Sequence, residues 1–162
     1  MTMHQGEVSL AEAFTREHHQ IDAGIEAYLA SEADPAGRAG PLLAAMTALR
    51  RHIYLEEEIV FPHLADPSLV MALIVMRREH GELWRRMDQL ASSLRGETAP
   101  ADVAAACTEI LALLDKHNAK EEPIIYPHMD GDLDDAEQER VRDLLAGGTL
   151  PDGWLPQVLR AA

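Results

Sequence analysis

Two segments of the chain repeat one arrangement of side chains that bind metals. His52-Ile-Tyr-Leu-Glu56-Glu57-Glu58-Ile-Val-Phe61-Pro62-His63-Leu64 is matched in register by His117-Asn-Ala-Lys-Glu121-Glu122-Pro123-Ile-Ile-Tyr126-Pro127-His128-Met129. Each copy holds a histidine, a carboxylate four residues on with a second beside it, and then aromatic-Pro-His. Arg16-Glu17-His18 precedes the first copy and Arg78-Glu79-His80 the second. Each half thus offers three groups of metal-ligand type, and together they suggest a site for two ions.

Four residues of helix turn about 400°, so Glu56 sits about 40° from His52 and one turn along, and Glu121 relates to His117 in the same way. A carboxylate on an apolar face is costly unless it is paired or bound to a cation. Glu57 and Glu122 point about 140° from their histidines and are expected in solvent or behind the ligands. Asp22, four residues after His18, is a further candidate to hydrogen-bond a ligand or reach a metal; its counterpart in the second half is Trp84. His63 and His128 follow the two prolines and are assigned capping or packing roles. His19 lies one step off the apolar stripe, and His4 falls in the N-terminal stretch.

The elements that must carry these groups are long helices. Ser9 followed by Glu12 reads as a capping box opening the first, to about Ser31. Asp34 to Gly40 reads as a loop, and a second helix runs from about Pro41 to Phe61, stopped by Pro62. Asp66-Pro67 caps a third helix, to about Leu94. Arg95 to Pro100 is a loop, and a fourth helix runs from about Ala101 to Glu122, with a kink or an early end at Pro123. A shorter fifth spans Asp132 to Ala146, and a tail with Trp154 follows. Short connections between long amphipathic helices predict an all-α, up-down-up-down antiparallel four-helix bundle. Residues 1–8 are expected to be a flexible N-terminus, 9–129 the bundle, and 130–162 the added helix and tail. His18, His52, His80 and His117 each interrupt an apolar stripe, one per helix, within one or two turns of a common level.

The chain has 162 residues, 47% of them apolar but only 4% aromatic, so Leu, Ala, Ile, Val and Met must fill one core. A net charge of −14 argues against nucleic acid and anionic membranes as partners. One cysteine, Cys107, leaves no internal disulfide and is placed in the core. With no signal-type start and no apolar run of about 20 residues, a cytoplasmic location is expected.

Four imidazoles and two carboxylates, without thiolates, suit iron, manganese or zinc rather than magnesium or calcium. Each glutamate can bridge two ions, leaving open positions that imply reactivity. The paired His-x-x-x-Glu-Glu segments ending in aromatic-Pro, with His18 and His80, resemble the hemerythrin-like family of His-His-Glu cation-binding domains over about residues 10–129. The resemblance implies a non-haem di-iron centre, two Fe ions with an oxo or hydroxo bridge, with zinc or manganese less favoured. Carried over by motif, His18 and His52 would serve one iron and His80 and His117 the other, and Glu56 and Glu121 would bridge.

Two departures from the family's oxygen carriers are informative. Those carriers place a second histidine four residues after the third-helix ligand, where this chain has Trp84. Their fourth-helix acid is an aspartate five residues after its histidine, where this chain has Glu121 at four. Both argue against reversible oxygen carriage. The expectation is a protein that binds or reacts with dioxygen, peroxide or nitric oxide in redox sensing or detoxification, with turnover left open. The alternatives are an iron-sensing or storage module without turnover, and a metal-free bundle whose acidic surface binds a protein. A small diatomic or peroxide ligand is the expected partner, and a protein partner or homodimer stays open.

Overall fold

A computed structural model describes residues 8–31, 35–96 and 100–160. Residues 1–7 of the N-terminal stretch read over 1–8, with His4, and the loop positions Asp34 and 97–99 lie outside those residues. Helix α1 spans Leu10–Ala30, and the Ser9 hydroxyl accepts the Glu12 amide at 3.1 Å. The serine half of the predicted capping box forms, whereas the Glu12 carboxylate turns to Arg16 at 3.0 Å.

Helix α2 spans Pro35–Leu55, so it starts earlier than predicted and takes in most of the stretch read as a loop. Proline is tolerated in a first helical turn, where its missing amide has no partner to lose. Arg38 also ties this start to α1. Its guanidinium donates to the Tyr28 carbonyl at 2.9 Å and lies 4.3 Å from the Tyr28 ring centre.

Pro62 does not stop α2. The chain passes through a wider π turn at Glu56–Val60 and then an α turn at Phe61–His63. The Phe61 amide bonds the Glu56 carbonyl across five residues. This looser turn accommodates a proline that supplies no amide and whose ring would crowd the preceding turn of an α-helix.

Asp66 accepts the Ser68 amide at 2.9 Å and opens a 3₁₀ turn, Pro67–Leu69, before helix α3 at Val70–Arg95. Helix α4, Pro100–Ile124, includes Pro123 in its last turn and gives way to a 3₁₀ turn at Tyr126–His128. Helix α5 spans Asp135–Gly147, with a complete capping box between Asp134 and Glu137. The helices α1 to α4 form the expected antiparallel ring, α1 packing on α2 and α4, and α3 on α4 and α2. Gly24 lets the first pair close, since a Cβ there would lie 2.8 Å from the Pro41 carbonyl oxygen. No described helix is long and apolar enough to cross a membrane.

The core is split in two. One apolar cluster includes Ile21, Leu49, Ile53, Leu83, Trp84 and Leu114; the other includes Phe14, Leu55, Ile59, Phe61, Met76 and Ile125. Along α1, α3 and α4 the candidate ligands lie between these sets: His18 between Phe14 and Ile21, His80 between Met76 and Leu83, and His117 and Glu121 between Leu114 and Ile125. On α2, His52 lies beside Ile53 of the first set and Glu56 beside Leu55 of the second. A polar layer therefore crosses an otherwise apolar bundle. Cys107 lies in the first cluster as expected, and burial pushes its thiol up to about 11.

The segment after α4 fastens the end of the bundle nearest Phe14. Asp130 accepts the Leu10 and Ala11 amides at 2.9 and 3.3 Å, Asp132 accepts the Ala65 amide at 3.0 Å, and His63 pairs with Glu137. Asp130 thus caps α1 from 119 or more residues away in sequence. Replacing an N-terminal cap costs on the order of 1 kcal/mol. Asp130→Ala should lower stability by about that much in urea unfolding, and an unchanged midpoint would contradict the capping role.

Candidate metal centre

All six candidate ligands meet in the polar layer. His18, His52, His80, His117, Glu56 and Glu121 are buried, the two glutamates and His80 completely. Two groups form around Glu121. It joins Glu56, His80 and His117 in one and His18 and His52 in the other, each with its ligand atoms within 4.8 Å of one another. Glu56 also reaches toward the second group, its Oε2 lying 3.6 Å from His52 Nε2. Asp22, Glu57 and Glu122 belong to neither group. Asp22 is half-buried, and burial together with Glu26 raises its pKa.

The layer is short of hydrogen bonds. His80 Nε2 lies 3.2 Å from Glu56 Oε1, and His117 Nε2 lies 3.0 Å from Glu121 Oε2. Neither approach is aligned as a hydrogen bond, and His18 Nδ1, His80 Nε2, Glu56 Oε1 and Glu121 Oε2 are buried without a hydrogen-bond partner. Orphaned polar atoms inside a protein are costly and uncommon. Here three of them converge on one space, with nitrogen and oxygen donors together, and this donor set fits a cation.

Behind the ligands stands a second ring of carboxylates, which gives the repeat its physical meaning. Glu17 Oε1 lies 3.0 Å from His52 Nδ1, Glu79 Oε1 lies 2.9 Å from His117 Nδ1, and Glu57 Oε2 lies 2.7 Å from His80 Nδ1. Glu122 Oε1 faces His18 Nδ1 at 3.7 Å, an ion-pair distance rather than a hydrogen bond. A carboxylate behind Nδ1 fixes the tautomer and aims Nε2 inward. The Glu before a ligand histidine in one helix therefore supports the histidine of the next. This explains the Arg-Glu-His echo. Glu57, expected in solvent or behind the ligands, lies buried behind them.

Tyr126 is the functional group that sequence reasoning missed. Its hydroxyl sits between the two ligand groups, 2.6 Å from Glu121 Oε1, 2.9 Å from Glu56 Oε2, and 2.8 Å from both His18 Nε2 and His52 Nε2. It donates to a carboxylate and accepts from an imidazole N–H. Burial and the charges of Glu121 and Glu56 raise its pKa well above the ordinary phenol value. The available signal was the mismatch in the repeat, Tyr126 against Phe61. Phe61 has no hydroxyl and stacks on His80, ring centres 5.7 Å apart. Trp84, at the place of the absent histidine, is a buried core residue capped by the Arg50 guanidinium at 4.5 Å.

Protons hold the layer together when no metal is bound. Burial opposes charge on His52, yet Glu56 and Glu17 outweigh it and raise its pKa to about 10. Burial is likewise overcome at His80 by Glu121, Glu56 and Glu57, and at His117 by Glu121 and Glu79, and both pKa values rise. Against its own burial, Glu121 is held well below the usual carboxylate range by His117, His18 and His80. A histidine raised in this way stabilises the fold fully below its ordinary pKa of 6.5, and that contribution is lost as pH climbs through the folded value. The melting temperature of the metal-free protein should therefore fall between about pH 6.5 and pH 10. A constant value over that window would contradict the charged layer.

Compared with known families, the chain matches the hemerythrin HHE cation binding domain over residues 9–146. Neither the curated proteins nor the solved structures gave a match.

Proposed function

From the premise that this chain belongs to the hemerythrin HHE cation-binding family, we propose that its polar layer holds two iron ions and that it reacts there with dioxygen, peroxide or nitric oxide, in redox sensing or detoxification. The observation that carries this reading is Glu121. One completely buried carboxylate belongs to both ligand groups and keeps an oxygen without a hydrogen-bond partner. His18 and His52 would hold one ion and His80 and His117 the other, with Glu56 and Glu121 shared. The Tyr126 hydroxyl, within 2.9 Å of four of these ligand atoms, is a seventh donor. Iron so held would supply redox electrons and coordination positions for a small ligand.

The chain's own residues do the rest. Glu17, Glu57 and Glu79 orient imidazoles. Without metal, Tyr126 keeps an O–H at the centre of the layer. Phe14, Phe61 and Met76 on one side and Ile21, Ile53 and Leu83 on the other exclude water, which strengthens every electrostatic contact between them. Trp84 removes the extra histidine of an oxygen carrier, which favours chemistry over carriage. Iron sensing or storage without turnover is the second reading, and it is favoured by how closed the layer is: no candidate ligand is more than 3% exposed.

Reconstituted protein treated with hydrogen peroxide, or with dioxygen or nitric oxide in the presence of an added chemical reductant, should show a change in its visible spectrum and consume many equivalents of one of them. A spectrum that changes once, without further consumption, would favour the second reading, and an unresponsive iron site would contradict both. Glu56→Ala and Glu121→Ala should each lose most of the bound iron. Tyr126→Phe should keep iron but lose any charge-transfer absorption between a phenolate and ferric ion. Full metal content in the two glutamate variants would show that other residues hold the ions.

A further inference from the structure

The chain after α5 folds back onto the bundle beside the polar layer. Gly153, at φ +76°, supplies a backbone conformation that side-chain-bearing residues rarely adopt, and the Trp154 amide closes the turn on the Pro151 carbonyl at 3.2 Å. The Trp154 indole packs edge-on against Tyr54 and Trp84, with ring centres 5.2 and 5.5 Å apart. Its Nε1 donates to Glu58 at 2.8 Å, and the Arg160 guanidinium donates to the same carboxylate at 2.7 Å. Val158 presses on Gly81 so closely that a Cβ there would lie 2.3 Å from its methyl carbon.

These contacts fall beside candidate ligands. Glu57 follows Glu56, and Gly81 follows His80. Glu57 joins the two places: its Oε1 accepts the Gln157 backbone amide at 2.9 Å, and its Oε2 lies 2.7 Å from His80 Nδ1. Two of the other outer carboxylates are braced from within the bundle. Glu17 binds Arg51 at 3.2 Å as well as His52, and Glu79 binds Lys120 as well as His117. Both of those braces are cations on bundle helices. The brace behind His80 is a neutral amide on a segment outside it.

We infer that the C-terminal segment Trp154 to Arg160 is a positioning strap for the metal site: through Glu57 it holds His80 with Nε2 facing the layer, so that strap docking and metal occupancy favour each other. This rests on the metal reading above. Residues behind a ligand histidine are worth about 10- to 100-fold in metal affinity. Linkage makes the effect reciprocal, so bound metal must also hold the strap down.

One substitution isolates the contact. Gln157 opens a 3₁₀ turn, where proline is tolerated, and Pro156, at ψ 147°, already has the extended backbone that a following proline requires. Gln157→Pro therefore removes the amide that Glu57 accepts while leaving both side chains of the Glu57–His80 contact intact. Fe(II) alone, added without oxygen to the full-length protein, should slow amide hydrogen exchange across 154–160. In Gln157→Pro the Fe(II) affinity should fall about tenfold and the slowing should disappear, with helical circular dichroism unchanged. Glu58→Ala, which frees Trp154 and Arg160 without touching Glu57, should move both readouts the same way by less, and it serves if the proline variant does not fold. Native affinity in the variants, or strap exchange indifferent to Fe(II) in the native protein, would overturn the strap while leaving the metal reading standing. Native protein that takes up no Fe(II) would overturn that reading and the strap with it.

Discussion

Two carboxylates with no exposed surface, Glu56 and Glu121, lie across the middle of an apolar bundle, and the rest of the structure depends on how their charge is balanced. Moving such a group out of water costs several kcal/mol even after the protein relaxes around it. Without metal, the compensating charge is the protons carried by His52, His80 and His117, whose pKa values are all raised. The balance is imperfect, because close nitrogen–oxygen approaches remain without hydrogen-bond alignment. A pair of cations would repair it and displace the protons, so metal uptake and proton release are linked.

The duplication solves the positioning problem with few parts. Each repeat supplies an inner histidine and glutamate and, on the preceding residue of one helix or the following residue of another, an outer carboxylate aimed at an imidazole across the bundle. Departures from the repeat carry the specific chemistry. Tyr126 in place of Phe61 introduces the only hydroxyl bonded to the inner ligands among the described residues. Glu58 in place of Pro123 provides the anchor for Trp154 and Arg160. Trp84 in place of a histidine or an acid fills its site with an indole.

The bundle and the convergence of His18, His52, His80, His117, Glu56 and Glu121 were legible in the sequence because both follow from helical periodicity, which is local. What escaped depends on contacts between helices. Glu17 and Glu79 were visible as an echo, but each serves a histidine on the next helix, and no spacing within one helix reveals that. Tyr126 entered the sequence pattern only as the aromatic in register with Phe61, and an aromatic-Pro-His repeat does not say which of the two rings needs its hydroxyl. Its entry into the layer depends on how the chain leaves α4 after Pro123. The π turn at Glu56–Val60 was hidden for a similar reason, since Pro62 signals a lost hydrogen bond but not how the helix absorbs it. Residues 35–40 were misread because their glycines and proline outweighed a helix start that Arg38 secures from α1.

Anomalous diffraction at the iron edge, from crystals of iron-loaded protein, tests the central claim most directly. Two peaks are expected inside the layer, one beside His18 and His52 and one beside His80 and His117, both within reach of Glu121. A layer without an anomalous peak, in protein that has been offered iron and still carries its protonated histidines, would contradict the account.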